Sequence, residues 1–126
     1  KDLSVFHYIG KVIKESSSIR DYIDGENFIK AYFLAYLNLN TFYEVHSEVE
    51  SNKGYIDILL EPIMTEVPFG VMIELKYIKR KDYNKQVLQE QIKKATKQLY
   101  QYNLGEKYLK VVLVFNGWEL VGCELV

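Results

Sequence analysis

Two strands joined by one long helix are predicted in the second half of the chain, and this unit restricts the fold more than any other feature. Residues 71–78 and 108–115 form apolar runs of strand length, and the second run is continuous, which predicts burial on both faces. Between them, residues 82–103 carry apolar side chains at three- and four-residue spacing, as an amphipathic helix does. A strand, a helix and a strand in this order predict a crossover connection within one sheet.

The first half of the chain predicts two helices and a β-hairpin. Apolar side chains recur at helical spacing in residues 3–13 and 26–37. Residues 42–50 alternate instead, which predicts a strand with one polar face. The expected apolar face of this strand consists of Tyr43, Val45, Ser47 and Val49. A Ser-Asn-Lys-Gly turn then leads into a β-rich run at residues 55–61, so these two strands are expected to pair.

The order of the predicted elements indicates the fold class. Asn116-Gly117 is a turn signal, and residues 118–125 predict a last strand. The elements are therefore a helix, a helix, three strands, a helix and two strands. This order predicts an α/β (α+β) architecture, in which a mixed β-sheet is flanked by helices.

Composition excludes several classes of protein. A chain of 126 residues with 48% hydrophobic and 26% charged residues is expected to form one globular domain. Its single cysteine, Cys123, cannot form an internal disulfide, and no Cys/His cluster is present for zinc. No apolar run approaches the roughly 20 residues of a membrane span, so we expect no membrane insertion and a cytoplasmic location.

Charge is distributed unevenly along the chain. Residues 44–66 contain six acidic residues and one lysine, whereas residues 76–97 contain eight basic and two acidic residues. An acidic strand region followed by a basic region is what a metal site beside a phosphate-binding surface needs. Ordinary lysines on a solvated helix would give the same pattern, and charge alone does not decide between these interpretations.

Three charged residues interrupt the predicted sheet. Asp57 lies within an apolar β-rich run, where an unpaired carboxylate is costly, and Glu74 and Lys76 interrupt the next strand on a single face. If the two strands are neighbours, both carboxylates and the ammonium group meet at one point. Clustered carboxylates without zinc ligands favour a hard cation such as Mg²⁺. The alternative is a salt bridge near a sheet edge that has no catalytic role.

Five short motifs carry a resemblance to a known family. They are GENF at residues 25–28, GYIDILLEP at 54–62, IELKY at 73–77, KQLY at 97–100 and VFNGW at 114–118. Together they resemble the PD-(D/E)XK nuclease superfamily, which has a restriction-endonuclease-like αβββαβ core. The resemblance is closest to a bacterial branch that lies carboxy-terminal to an AAA-type ATPase-like domain. It extends from about residue 25 to the end, although Ile56 stands where the superfamily name has proline.

The resemblance implies roles for five side chains and one backbone group. Asp57 and Glu74 would bind Mg²⁺, with Mn²⁺ as an alternative ion, the Leu75 carbonyl would add a ligand, and Lys76 would be the catalytic lysine. Glu26 and Gln98 would approach from the two core helices. Each has an ordinary alternative, since Glu26 suits the first turn of any helix and Gln98 suits a solvated helix flank. Glu48 could reach the metal, since its strand is expected to neighbour that of Asp57, but a solvent-facing glutamate is the favoured interpretation.

The implied activity is hydrolysis of phosphodiester bonds in nucleic acid, with DNA favoured. The residues expected to hold the nucleic-acid backbone are Lys79, Arg80, Lys81, Lys93, Lys94 and Lys97. The alternative is a catalytically silent nuclease-fold module that docks a partner or binds nucleic acid. Residues 1–20 are expected to form an amino-terminal helix and connector, residues 21–126 to form the nuclease-like domain, and an ATPase-like domain is expected in the same parent chain.

Overall fold

The computed structural model describes residues 2–15, 26–40, 42–51, 54–102 and 104–126. Its helices are α1 (Ser4–Glu15), α2 (Glu26–Leu37) and α3 (Lys85–Gln101), and a short 3₁₀ helix spans Arg80–Asp82. Its strands are β1 (Tyr43–Ser51), β2 (Gly54–Pro62), β3 (Gly70–Ile78), β4 (Tyr108–Asn116) and β5 (Glu119–Leu125). The predicted order of helices and strands is therefore confirmed. The serine-rich break predicted at residues 16–18 and Gly25 of the first motif lie outside the described residues.

The five strands form one mixed sheet in the order β1-β2-β3-β4-β5. The hairpin of β1 and β2 is antiparallel, as are the pairs β2/β3 and β4/β5. The pair β3/β4 is parallel, because α3 carries the chain back across the sheet between them. This is the mixed α+β architecture predicted from the hydrophobic pattern.

Helices cover both faces of the sheet and create two hydrophobic cores. One core, which we call the first core, joins α1 and α2 to the sheet and includes Phe33 and Phe115, whose rings meet edge to face at 5.6 Å. The second core lies under α3 and includes Ala95 and Leu99. Helix α1 belongs to the expected connector region, and it buries Phe6, Ile9 and Ile13 in the first core. No described helix is long and apolar enough to cross a membrane.

Helix α3 is shorter than predicted. It begins at Lys85 rather than at residue 82 because Arg80–Asp82 forms a separate 3₁₀ turn. The Asn84 side chain then caps the helix by accepting a hydrogen bond from the Val87 N–H at 2.8 Å.

The alternation of β1 breaks at Glu48. Tyr43 and Val45 pack against the first core, whereas Val49 packs against the second core. The prediction that Val49 shares a face with Tyr43 and Val45 is therefore wrong. Glu48 has a φ of 51°, in the left-handed region that non-glycine residues rarely adopt, and this local turn of the backbone exchanges the two faces. On the partner strand, Ile56 and Ile58 likewise lie in different cores.

Candidate active site

The candidate site lies where β2 and β3 separate. Their ladder runs from Leu60↔Val71 to Ile58↔Ile73 and then stops, one step before Asp57 would face Glu74. In the described part of β1, the ladder with β2 also omits Glu48 and Asp57. A local opening of the sheet therefore surrounds Asp57, and side chains from both faces can approach it.

The Asp57 side chain takes the place of the missing ladder contact. Its Oδ2 accepts a hydrogen bond from the backbone N–H of Leu75 at 2.9 Å. The other oxygen, Oδ1, lies 3.9 Å from the Lys30 ammonium nitrogen, which is an ion-pair distance but too long for a hydrogen bond. Asp57 is therefore held in a defined orientation with one oxygen free to accept a further ligand.

Glu74 is a buried carboxylate, with only 3% of the residue exposed. Its Oε2 lies 3.6 Å from Lys76 Nζ, while its Oε1 finds no hydrogen-bond partner among the described residues. Burial, the largest cause, and the negative charge of Asp57 together raise the pKa of Glu74 to about 7, and Lys76 partly opposes both. Without an additional cation, Glu74 therefore keeps its proton to a higher pH than an ordinary glutamate does.

Glu26 faces the same group of charges from the first turn of α2. Burial of the carboxyl raises its pKa although much of the residue is exposed, and the charge of Asp57 raises it further. Lys76 and Lys30 act in the opposite direction. The first-turn position of Glu26 is compatible with an ordinary helix-start acid and with an auxiliary site residue. The effect of Asp57 on the Glu26 pKa shows that the two carboxylates interact electrostatically.

The amide of Gln98 lies on the second core helix, and the phenol of Tyr102 follows that helix. Gln98 is half-buried, and its Oε1 is fully buried with no hydrogen-bond partner in the described residues. Tyr102 follows the helix and donates its hydroxyl to the Tyr55 carbonyl at 2.8 Å. Burial raises the pKa of Tyr102, and the charges of Glu74 and Asp57 raise it further. The sequence interpretation did not place Tyr102 near the acids.

Lys30 is a second residue near the acids that sequence reasoning missed. It is 9% exposed, and its ammonium group forms ion pairs with Asp57 and with Glu48. Its position four residues after Glu26 on a predicted helix was a usable signal, since residues at this spacing share a helix face. Glu48 is largely exposed, as expected, yet its carboxylate contacts Lys30. This contact could not be read from the sequence because it depends on the positive φ of Glu48.

The donor set is compatible with a hard divalent ion, although it is small. Among the described residues, no group of three or more aspartate, glutamate, histidine or cysteine side chains is close enough to hold a metal ion. Two carboxylates of adjoining strands remain, and the unpartnered Oε1 of Glu74 together with Oδ1 of Asp57 offers the oxygen ligands that Mg²⁺ prefers. Water completes the shell of Mg²⁺ in many such sites.

Comparison with known families identifies the chain. A family model described as the PD-(D/E)XK nuclease superfamily matches residues 24–125. The chain belongs to this superfamily. No curated protein and no solved structure matches the chain significantly. The superfamily assignment agrees with the mixed sheet and its flanking helices, so the fold is restriction-endonuclease-like and the domain is nuclease-like.

Two exposed segments of this nuclease-like domain carry the basic residues that were predicted to bind nucleic acid. The residues predicted to hold nucleic acid, all exposed, are Lys79, Arg80, Lys81, Lys93, Lys94 and Lys97. The three on α3 line one open surface depression. Arg80 is partly engaged, because its guanidinium lies 4.2 Å from the centre of the Trp118 ring and 3.4 Å from Glu119 Oε1. The lysines of α3 are therefore the more available group for a phosphate backbone.

Proposed function

We propose that this chain is a Mg²⁺-dependent nuclease that hydrolyses phosphodiester bonds, with DNA as the preferred substrate and Mn²⁺ as an alternative ion. One observation carries the proposal. Where the β2/β3 ladder ends, the Asp57 and Glu74 carboxylates come together, and an ammonium group, that of Lys76, lies 3.6 Å from Glu74. Membership of the PD-(D/E)XK superfamily supports a nuclease-like reaction at this point.

Asp57 and Glu74 would hold the metal ion. The N–H of Leu75 faces Asp57, and because the N–H and C=O of one strand residue point to the same edge, the Leu75 carbonyl is available as a third ligand. A bound Mg²⁺ would supply positive charge to polarise a phosphoryl oxygen. The raised pKa of Glu74 favours this role, since a divalent ion would offset the burial and the charge of Asp57 that now favour the protonated form.

Lys76 would act on the phosphate itself. Its side chain is 17% exposed, so its ammonium group is held in partly desolvated surroundings, where a charge is worth more than in water. There it can stabilise the negative charge that develops on a phosphoryl oxygen. Glu26 and Gln98 would serve as auxiliary residues, Glu26 through its charge and Gln98 through its buried amide.

The basic residues would bind the nucleic-acid backbone. Lys93, Lys94 and Lys97 share one open depression, and each phosphate neutralised by a lysine releases counterions from the nucleic acid. The exposed segment Lys79, Arg80 and Lys81 directly follows the strand that carries Glu74 and Lys76. Binding of the backbone at these residues would bring a phosphate toward the site.

A catalytically silent nuclease-fold module is the second candidate. Two features favour it: Lys30 and Lys76 already pair with the site carboxylates, and the described residues hold no group of three acidic, histidine or cysteine ligands for a metal. Such a module would bind nucleic acid or a partner protein without cleavage. The two functions differ in their response to metal ions.

The resemblance to the branch associated with AAA-type ATPase-like domains extends this proposal. An ATPase-like domain in the same parent chain would be joined through residues 1–20. The burial of Phe6, Ile9 and Ile13 in the first core implies that helix α1 also packs against the nuclease-like domain. The association itself is testable by reading the parent gene.

A cleavage assay separates the two functions. Single- and double-stranded DNA and RNA are incubated with the chain in Mg²⁺, in Mn²⁺ and in chelator. We expect metal-dependent cleavage that falls at least about 100-fold in Lys76→Met, because loss of the ammonium removes several kcal/mol of charge stabilisation. Lys11→Met, at an exposed site of α1, is the matched control. Equal cleavage by Lys76→Met and the parent would refute the assignment, and nucleic-acid binding without cleavage would favour the silent module.

A further inference from the structure

Lys30 is a buried cation fixed between two carboxylates. Its side chain is 11% exposed, and its ammonium nitrogen lies 3.9 Å from Asp57 Oδ1 and contacts Glu48 Oε1. A lysine seldom becomes this buried unless its charge is paired. The arrangement resembles that of a metal ion, because a positive charge bridges carboxylates from two neighbouring strands.

The partner residues are positioned for this contact by the backbone. Glu48 and Asp57 would face each other across β1 and β2, but the ladder omits this pair. Glu48 instead adopts a φ of 51°, and a non-glycine residue in this region is uncommon and costs conformational energy. Strain of this kind persists where surrounding contacts maintain it, and the ion pair with Lys30 is such a contact.

The formal charges of the described site residues leave room for one divalent ion. Four carboxylates, those of Glu26, Glu48, Asp57 and Glu74, interact with the ammonium groups of Lys30 and Lys76. When all are ionised their sum is −2, so one divalent cation makes the cluster neutral. Loss of the Lys30 charge would make the sum −3 and create a demand for a second cation.

We propose that the Lys30 ammonium group occupies a cation position between Asp57 and Glu48, so that the chain binds one divalent ion fewer than its carboxylates could hold. The inference rests on the proposed function, because it assigns the remaining ion to the Asp57 and Glu74 side of the site. Lys30 thereby limits the site to one exchangeable metal ion. Replacement by an uncharged side chain of similar length opens the second position.

Counting bound Mn²⁺ tests this directly and needs no activity. The number of Mn²⁺ ions per chain is measured at saturation, without nucleic acid, for the parent and for Lys30→Met. We expect one ion in the parent and two in the variant. Lys30→Arg keeps the charge and should keep the parental number, and Lys11→Met removes an exposed lysine of α1 and should also leave the number unchanged.

The outcomes separate this inference from the proposed function. Equal Mn²⁺ counts in the parent and in Lys30→Met overturn the inference, and if that number is one, the metal-dependent nuclease survives. No ion in the parent and one in Lys30→Met support the inference but contradict the nuclease. The double variant Lys30→Met, Glu48→Gln should lose the additional ion, and retention of two ions would also overturn the inference.

Folding of the variant provides a second measurement. Without metal, Lys30→Met leaves Asp57 and Glu48 without their shared ammonium group, so its melting temperature should be lower than that of the parent. Saturating Mn²⁺ should raise the melting temperature of the variant more than that of the parent, because two ions bind its folded state. A variant that is not stabilised by Mn²⁺ beyond the parental shift, or that stays unfolded in saturating Mn²⁺, overturns the inference.

Discussion

Asp57 accepts a hydrogen bond from the backbone N–H of Leu75 at 2.9 Å, so a side chain of β2 replaces a ladder contact to β3. The contact orients the carboxylate before any ligand binds. It also satisfies a strand N–H that would otherwise lose its partner where the two strands separate. The same hydrogen bond therefore orients the Asp57 carboxylate and satisfies the backbone where β2 and β3 separate.

Metal binding should raise the melting temperature of the chain. A ligand at about 100 times its Kd stabilises the folded state by about 2.7 kcal/mol, which corresponds to several degrees for a domain of this size. Asp57→Asn keeps the shape of the side chain and an oxygen for the Leu75 N–H but removes the charge. Thermal unfolding with Mg²⁺, Mn²⁺ or chelator should show the shift in the parent and in the exposed control Glu66→Gln. A full shift in Asp57→Asn would mean that the ion binds elsewhere.

Without metal, the free energy of unfolding should fall as the pH rises from about 4.5 to about 7. The pKa of Glu74 is raised from 4.5 to about 7 in the folded chain, so in this window the folded state holds a proton that the unfolded state has released. The slope attributable to one such proton is at most about 1.4 kcal/mol per pH unit.

Glu74→Gln should remove this component, because a glutamine does not titrate. Urea unfolding in chelator at several pH values gives the free energy of unfolding of the parent and of the variant. The difference between the two values cancels the contribution of groups that titrate alike in both proteins. Glu66→Gln should keep the parental slope, since its side chain is exposed. Parallel curves for Glu74→Gln and the parent would show that Glu74 does not hold the additional proton.

Removal of two lysines from α3 should weaken nucleic-acid binding in a salt-dependent manner. Lys94 and Lys97 are exposed and line the same surface depression. The logarithm of affinity changes with the logarithm of salt concentration by about 0.9 for each phosphate contact with duplex DNA. Changing both Lys94 and Lys97 to glutamine should therefore reduce the slope of log affinity against log salt concentration by up to about 2. The matched double change of Lys11 and Lys14, which have the same spacing on α1, should leave the slope unchanged. Equal slopes for both double variants would place the nucleic acid elsewhere.

Tyr102→Phe should lower the free energy of unfolding by about 1 kcal/mol, the usual worth of one hydrogen bond. The lost bond is that from the Tyr102 hydroxyl to the Tyr55 carbonyl at 2.8 Å, which ties the end of α3 to the strand carrying Asp57. Urea unfolding measures the change. The control is Tyr100→Phe, because the Tyr100 side chain is 62% exposed. A similar effect at both positions would indicate that the hydrogen bond contributes no specific stability.

Part of the site could be predicted because strand spacing is regular. Side chains alternate along a strand, so Glu74 and Lys76, which are two residues apart, were expected on the same face of the sheet. In the structure they form an ion pair at 3.6 Å. Their meeting with Asp57 required β2 and β3 to be neighbours, which the order of elements favoured. Lys30 could not be placed in the same way, since its contact with Asp57 joins a helix to a strand separated from it by β1.

The sequence by itself determined the order of helices and strands, the mixed sheet and the superfamily, because hydrophobic periodicity and short motifs are local properties of the chain. Tertiary structure alone decided where the β2/β3 ladder stops, how Glu48 exchanges the faces of β1, and which cation lies beside Asp57. These features depend on the competition between ladder hydrogen bonds and side-chain charges within a packed sheet. That competition is resolved only when both helices and all the strands are in place.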